Sequence, residues 1–279
     1  MIEIEPLQDR FGVGIRHPDF PGNEIRFRIP ECWFCGLLPQ QPGRDQNRSG
    51  WQPVRRYPFE VLGPGDSDWE PWQRTNTGWI GRAEVEGWWQ NRVTVAPAAD
   101  HVCIEVEVTN LSDWDYTELW AHFCANTDSA PRFRDLTGQK TYVFLQQGAV
   151  PVIDTHKYEG AGWRQVCNTY VPFSREMRVK EYLYGTPISQ DRPVSPLIVR
   201  QSADGQALIA VCFRHWYGLF YDCHEKNNCI HSEPYVGDLE SKQSSCFSGH
   251  LYWFAGSLDD IAAKARDLDG VWVPTLADP

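Results

Sequence analysis

Apolar residues recur at every second position through much of the chain. The clearest run is His101 to Thr109, where Val102, Ile104, Val106 and Val108 fall on one face and Glu105 and Glu107 on the other. A period of two places one face on a core and the other toward water, which predicts a half-buried strand. Similar runs predict strands at Ile25–Ile29, Ile80–Val85, Val93–Ala96, Thr141–Leu145, Ala207–Phe213 and Leu251–Phe254, and a returning strand at Thr117–Cys124. Gly63-Pro64-Gly65-Asp66, Asn110-Leu111-Ser112-Asp113 and Ala203-Asp204-Gly205 supply turn chemistry between them.

Helical spacing is convincing once. Leu258, Ile261, Ala262, Ala265 and Leu268 recur on one stripe, Ser257 and Asp260 resemble a capping box, and Gly270 offers a stop. The segment from Pro39 to Trp79 carries Arg, Trp, Pro and Gly without periodicity, and it reads as a long loop ordered by Trp51, Tyr57, Trp69 and Trp72 beside a site. Many strands and one short helix predict a mainly β fold, a single antiparallel β-sandwich domain over residues 1–279.

Composition narrows the function. With 26 basic and 37 acidic residues the net charge is -11, which argues against nucleic-acid binding. No apolar run reaches the roughly 18 residues of a membrane helix, and the first residues lack the features of a signal peptide, so the expectation is a cytoplasmic protein without a membrane partner. The nine Cys follow no disulfide framework and read as reduced, buried thiols. The 13 Trp can serve both core packing and sugar platforms, and Trp51, Trp69, Trp72, Trp88 and Trp163, in polar, turn-rich segments, are the candidate platforms for the apolar faces of sugars.

Four segments could carry chemistry. His122 lies within the apolar run Leu119 to Ala125, where a histidine is ordinarily a satisfied core residue. His231 and Glu233, two apart, share one face of a strand and can form an acid–base pair, with Pro234 ending regular pairing. Arg214 and His215 follow the run Ala207 to Phe213 and offer charge and proton transfer at a strand end. His156 and Trp163 form a weaker fourth group. A metal reading also exists, since Cys223, His224, Cys229, His231 and Glu233 lie close in sequence and Cys32 and Cys35 add a pair. The spacing is irregular against structural zinc sites, so neither a metal nor a cofactor is expected. No phosphate-binding or dinucleotide fingerprint is present.

The turn Val108-Thr109-Asn110-Leu111-Ser112-Asp113, the strand bearing His122, the late Glu233-Pro234 and the final Gly249-His250-Leu251-Tyr252 together resemble the aldose 1-epimerase, or galactose mutarotase-like, proteins over residues 80–256. That resemblance implies a β-supersandwich with a sugar site in an open cleft. It implies His122 as the first active-site histidine, Glu233 as general base, and His215, with His156 behind it, as the second histidine. Ala121 stands where the family usually has Asn. The resulting expectation is a carbohydrate-active enzyme that moves protons with His122, His215, His231 and Glu233 on a small-molecule or oligosaccharide substrate. The alternatives are a polysaccharide lyase, with Arg132, Arg134 or Arg214 neutralising a carboxylate, and a sugar-binding module without turnover. The sequence leaves the oligomeric state open.

Overall fold

The computed structural model describes residues 1–9, 11–36, 54–56, 59–64, 69–155, 165–169, 182–183, 186–187, 189, 191–225 and 227–266. Among these, two large antiparallel sheets face one another. The first runs in the order Glu3–Pro6, Gly12–Arg16, Glu24–Gly36, Tyr116–Asn126, Asn227–Leu239, Trp216–His224 and Gln165–Thr169. The second runs Gly148–Pro151, Thr141–Leu145, Ile198–Gln201, Ala207–Phe213, Ser244–Ala255, His101–Asn110, Trp89–Pro97, Trp79–Val85 and Gln73–Arg74.

The alternation read from the sequence sets the core. Val102, Ile104, Val106 and Val108 point between the sheets and pack in one cluster with Phe123, Trp33, Val211 and Phe213. Phe123 meets Phe213 edge-on at 4.9 Å between ring centroids, which joins the two sheets directly. Arg200 is a polar tie between them. From the second sheet its guanidinium donates to Thr127 Oγ1 at 3.1 Å, to Asn228 Oδ1 and to the Cys229 carbonyl at 3.2 Å. The helix forms at Leu258–Arg266 and lays Ile261 and Ala265 on the outer face of the second sheet. Its capping box is reciprocal: Ser257 Oγ accepts from the Asp260 N–H at 3.2 Å, and Asp260 Oδ2 accepts from the Ser257 N–H at 2.8 Å. Leu268 and Gly270 lie outside the described residues.

Two expectations change. Part of the segment read as a loop pairs into the first sheet, as Val54–Arg56 and Phe59–Pro64, with Phe59–Pro64 hydrogen-bonded to Glu24–Gly36. Pro234 does not end its strand, which continues to Leu239. Proline is tolerated there because the neighbouring strand shifts register between Trp216 and Gly218.

Candidate functional site

On Tyr116–Asn126 the core takes Ala121, Phe123 and Ala125, so the period of two turns Trp120, His122 and Cys124 to the opposite face of the first sheet. On Asn227–Leu239 the core takes Ile230, which turns Cys229, His231 and Glu233 to that same face. The two strands are neighbours, with Trp120 opposite Tyr235 and Ala125 opposite Ile230. That register sets His122 beside Glu233. Both faces of these strands are buried over this stretch, so Leu119 to Ala125 reads as a near-continuous apolar run, while Asn227–Leu239 buries the polar Asn228, His231, Ser232 and Glu233.

His122 Nδ1 lies 2.5 Å from Glu233 Oε1. The His231 ring stacks on the His122 ring at 3.9 Å, and Phe220 closes on both edge-on at 5.3 and 4.9 Å. Exposure is 0% for Glu233, 1% for His231 and 5% for His122. Burial pushes the Glu233 carboxyl up, and His122 opposes that shift. Burial, then the neighbouring His122, hold His231 well below its ordinary value, while the nearby Phe123 backbone acts the other way. His231 Nε2 lies 2.9 Å from Cys229 Sγ. Glu31, in the adjacent strand, brings Oε2 to 4.0 Å from His122 Nε2 and pairs with Arg28 on its other side. Its side chain keeps 31% exposure and is the most accessible member of the group. Glu233 Oε2 is buried without a hydrogen-bond partner among the described residues, an acceptor that a hydroxyl can satisfy.

No protein-family model matches the chain, and no curated protein matches it. Solved structures do. An α-N-acetylgalactosaminidase, NagBb from Bifidobacterium bifidum, is similar over 96% of this chain at 9% identity, with a TM-score of 0.50. Mutarotase-like proteins are also among the similar structures. A putative aldose 1-epimerase from Escherichia coli K12 gives a TM-score of 0.48 at 10% identity over 92% of this chain and 100% of its own. A galactose mutarotase related enzyme from Lactobacillus acidophilus gives 0.44 at 10% identity over 92% and 98%. A polysaccharide lyase is also similar, at 0.45 and 8% identity. The chain spans 34% of that lyase and 38% of the α-N-acetylgalactosaminidase. At these identities the likeness is one of fold.

Of the proposed catalytic set, His122, His231 and Glu233 come together and His215 does not. His215 is exposed, and with Arg214 it lines a groove of about 360 Å³ on the second sheet beside Arg92, Glu105 and Glu107. Its backbone meets the cluster's strand through the Tyr235 N–H donated to the His215 carbonyl at 3.1 Å. Arg132 pairs with Asp204 at 2.9 Å, and Arg134 donates to the Glu225 carbonyl at 2.6 Å. Trp72 is buried, stacked on Phe11 at 4.9 Å and lying over Gly81. Trp88 packs edge-on against Trp114 at 5.2 Å. Trp69 packs half-buried against the core. His156, Trp51, Tyr57 and Trp163 lie outside the described residues.

The turn motif serves packing. Buried Asn110 donates to the Trp114, Leu239 and Glu240 carbonyls and accepts from the Ser112 N–H. The sequence-adjacent metal set also separates, because Cys223 and Cys35 enter the core and Cys229 faces the other way. Sequence reasoning missed Glu31 and Cys124. For Cys124 the signal was strand parity, two residues after His122, whereas Glu31 sits at an irregularity in register that no periodicity marks.

Proposed function

We propose that this protein catalyses proton transfer on a sugar, in an epimerase-like reaction centred on His122 and Glu233. The observation that carries the reading is the 2.5 Å contact between His122 Nδ1 and Glu233 Oε1 inside a buried cluster. A carboxylate on one imidazole nitrogen fixes the tautomer and orients the other nitrogen, here Nε2, toward substrate. It also stabilises the imidazolium that forms when Nε2 takes a proton, and the low dielectric of the site strengthens that effect.

The chemistry suits an aldose. His122 Nε2 removes the proton from the anomeric hydroxyl. The C1=O bond forms as the C1–O5 bond breaks, and O5 receives that proton. The two oxygens share one carbon, so a single imidazole nitrogen serves both. Rotation about C1–C2 and reclosure, with the proton passed back, give the other anomer. Glu233 then acts through His122, because its side chain is fully buried. His231 holds the His122 ring by stacking, and its Nε2 is engaged with Cys229. Glu31, paired with Arg28, offers an acceptor for a sugar hydroxyl.

The lyase alternative is less well supported. Arg132 and Arg134 are occupied by Asp204 and the Glu225 carbonyl, and Arg214 lines the groove of the second sheet. The test is anomer exchange over a panel of aldoses and their 6-phosphates, followed by NMR exchange spectroscopy. Wild-type protein accelerates exchange of at least one sugar, and His122→Asn abolishes it. No acceleration across the panel overturns the reading. An ultraviolet-absorbing unsaturated product from a uronate oligosaccharide replaces it with the lyase.

A further inference from the structure

The geometry points to a zinc-type metal site made by Cys124, Cys229 and His231, beside the His122–Glu233 pair and sharing His231 with that cluster. The ligand atoms of these three residues all lie within 4.8 Å of one another, and all three are buried. They come from two adjacent strands. Cys229 and His231 are two apart on one face, and Cys124 stands on the neighbouring strand, where the register sets it beside His231.

The donor set fits the metal. Zinc binds thiolate sulfur at about 2.3 Å and imidazole nitrogen at about 2.0–2.1 Å in tetrahedral geometry. Donors around one ion are then about 3.6–3.8 Å apart, by that geometry. Small side-chain rotations bring the observed triangle to those values, opening the 2.9 Å contact between His231 Nε2 and Cys229 Sγ. Binding ionises two thiols and releases two protons. One dication and two thiolates sum to zero charge, which suits a buried site.

Three protein ligands leave a fourth position. Glu31 borders it, since this carboxyl lies against both Cys124 and His122. Three ligands with one position open to a carboxylate or water is the count of a catalytic rather than a closed structural site. Arg28, already paired with Glu31, balances the added charge if that carboxylate binds. The ligands sit on paired strands in the sheet interior, so the site is held by backbone rather than by loop residues.

Cobalt(II) titration tests this on the whole chain, purified under reducing conditions and stripped with chelator. The expected result is one equivalent bound per chain, with thiolate-to-cobalt charge transfer in the near ultraviolet and the intense visible bands of tetrahedral cobalt. Zinc displaces it stoichiometrically. Cys124→Ser with Cys229→Ser removes the charge-transfer band, while His250→Asn, which alters the separate His101, Cys103 and His250 group, leaves it intact. Absence of thiolate bands in the folded wild-type protein overturns the site without any variant. Bands lost in His250→Asn but kept in the double serine variant also overturn it. The readout needs no substrate, so metal binding without anomer exchange refutes the proposed reaction alone, and exchange without metal binding refutes this site alone.

Discussion

His122 and Glu233, 111 residues apart in the chain, meet across two neighbouring strands at 2.5 Å. The contact joins an imidazole to a carboxylate that burial pushes toward its neutral form, so each group depends on the other. Glu233→Gln keeps the shape and removes the charge. We expect anomer exchange to fall about 10²–10⁴-fold, as on loss of acid–base function, with the far-ultraviolet spectrum unchanged. In a double-mutant cycle with His122→Asn, urea unfolding is expected to give a coupling energy of about 0.5–3 kcal/mol. Additive effects would mean that the two side chains act separately.

Arg200 predicts the strongest effect on stability. It is fully buried, and its partners Thr127, Asn228 and the Cys229 carbonyl all belong to the opposite sheet or its connection. Arg200→Met takes a charged donor from each of these acceptors, although Asn228 Oδ1 keeps the Thr127 hydroxyl and the Asp135 N–H, and it leaves the buried Asp135 carboxylate without its positive neighbour. Breaking a buried charged network from one side costs about 3–5 kcal/mol, and the urea midpoint should fall accordingly. A loss below about 1 kcal/mol would show that the acceptors find other donors.

His250 predicts a pH dependence. Burial, then the like charge of His101 stacked on it at 4.6 Å, bring its pKa down to about 4, against a smaller opposing effect of Asp100. Between about 4 and the ordinary 6.5 the unfolded chain binds more protons here than the folded one. Stability at this site therefore rises with pH through that window and is lost as pH falls through it. An NMR titration should find the His250 ring neutral at pH 5.5, and His250→Asn should flatten the stability profile between those limits.

Gly249 predicts a steric limit. A Cβ there would lie 2.3 Å from the Phe213 ring and 2.6 Å from the Cys212 carbonyl. Phe213 faces Gly249 directly across the strand pair and also packs on Phe123 of the other sheet, so the ring has no free direction in which to yield. Gly249→Ala is expected to cost about 1–3 kcal/mol, read as a lower melting temperature. An unchanged melting temperature would mean that the ring moves at no cost.

Capping predicts a smaller effect. Ser257→Ala removes the oxygen that accepts from the Asp260 N–H, and about 1 kcal/mol of stability should go with it. Loss of the helical signal without a change in the global midpoint would show that the helix folds separately from the sheet beneath it.

The chain by itself determined most of the described strands, the helix Leu258–Arg266 and the placing of His231 and Glu233 on one strand face, while His122 joined them only through the family resemblance. Period-two alternation and a capping box are local, and side chains two apart on a strand share a face whatever they pack against. The sequence could not say which face of the run around His122 meets the core, because both faces are buried and both are apolar. Nor could it separate Cys223 from Cys229, close in sequence and on opposite faces, or bring Cys124 to Cys229 and His231. Those relationships depend on which strands become neighbours and in what register. Strand order is fixed by pairing and packing between segments a hundred or more residues apart, which leaves no mark in local spacing. The same reason took His215 and Trp72 away from the cluster and brought in Glu31: their places depend on a strand end and two irregular pairings that only the assembled sheets define.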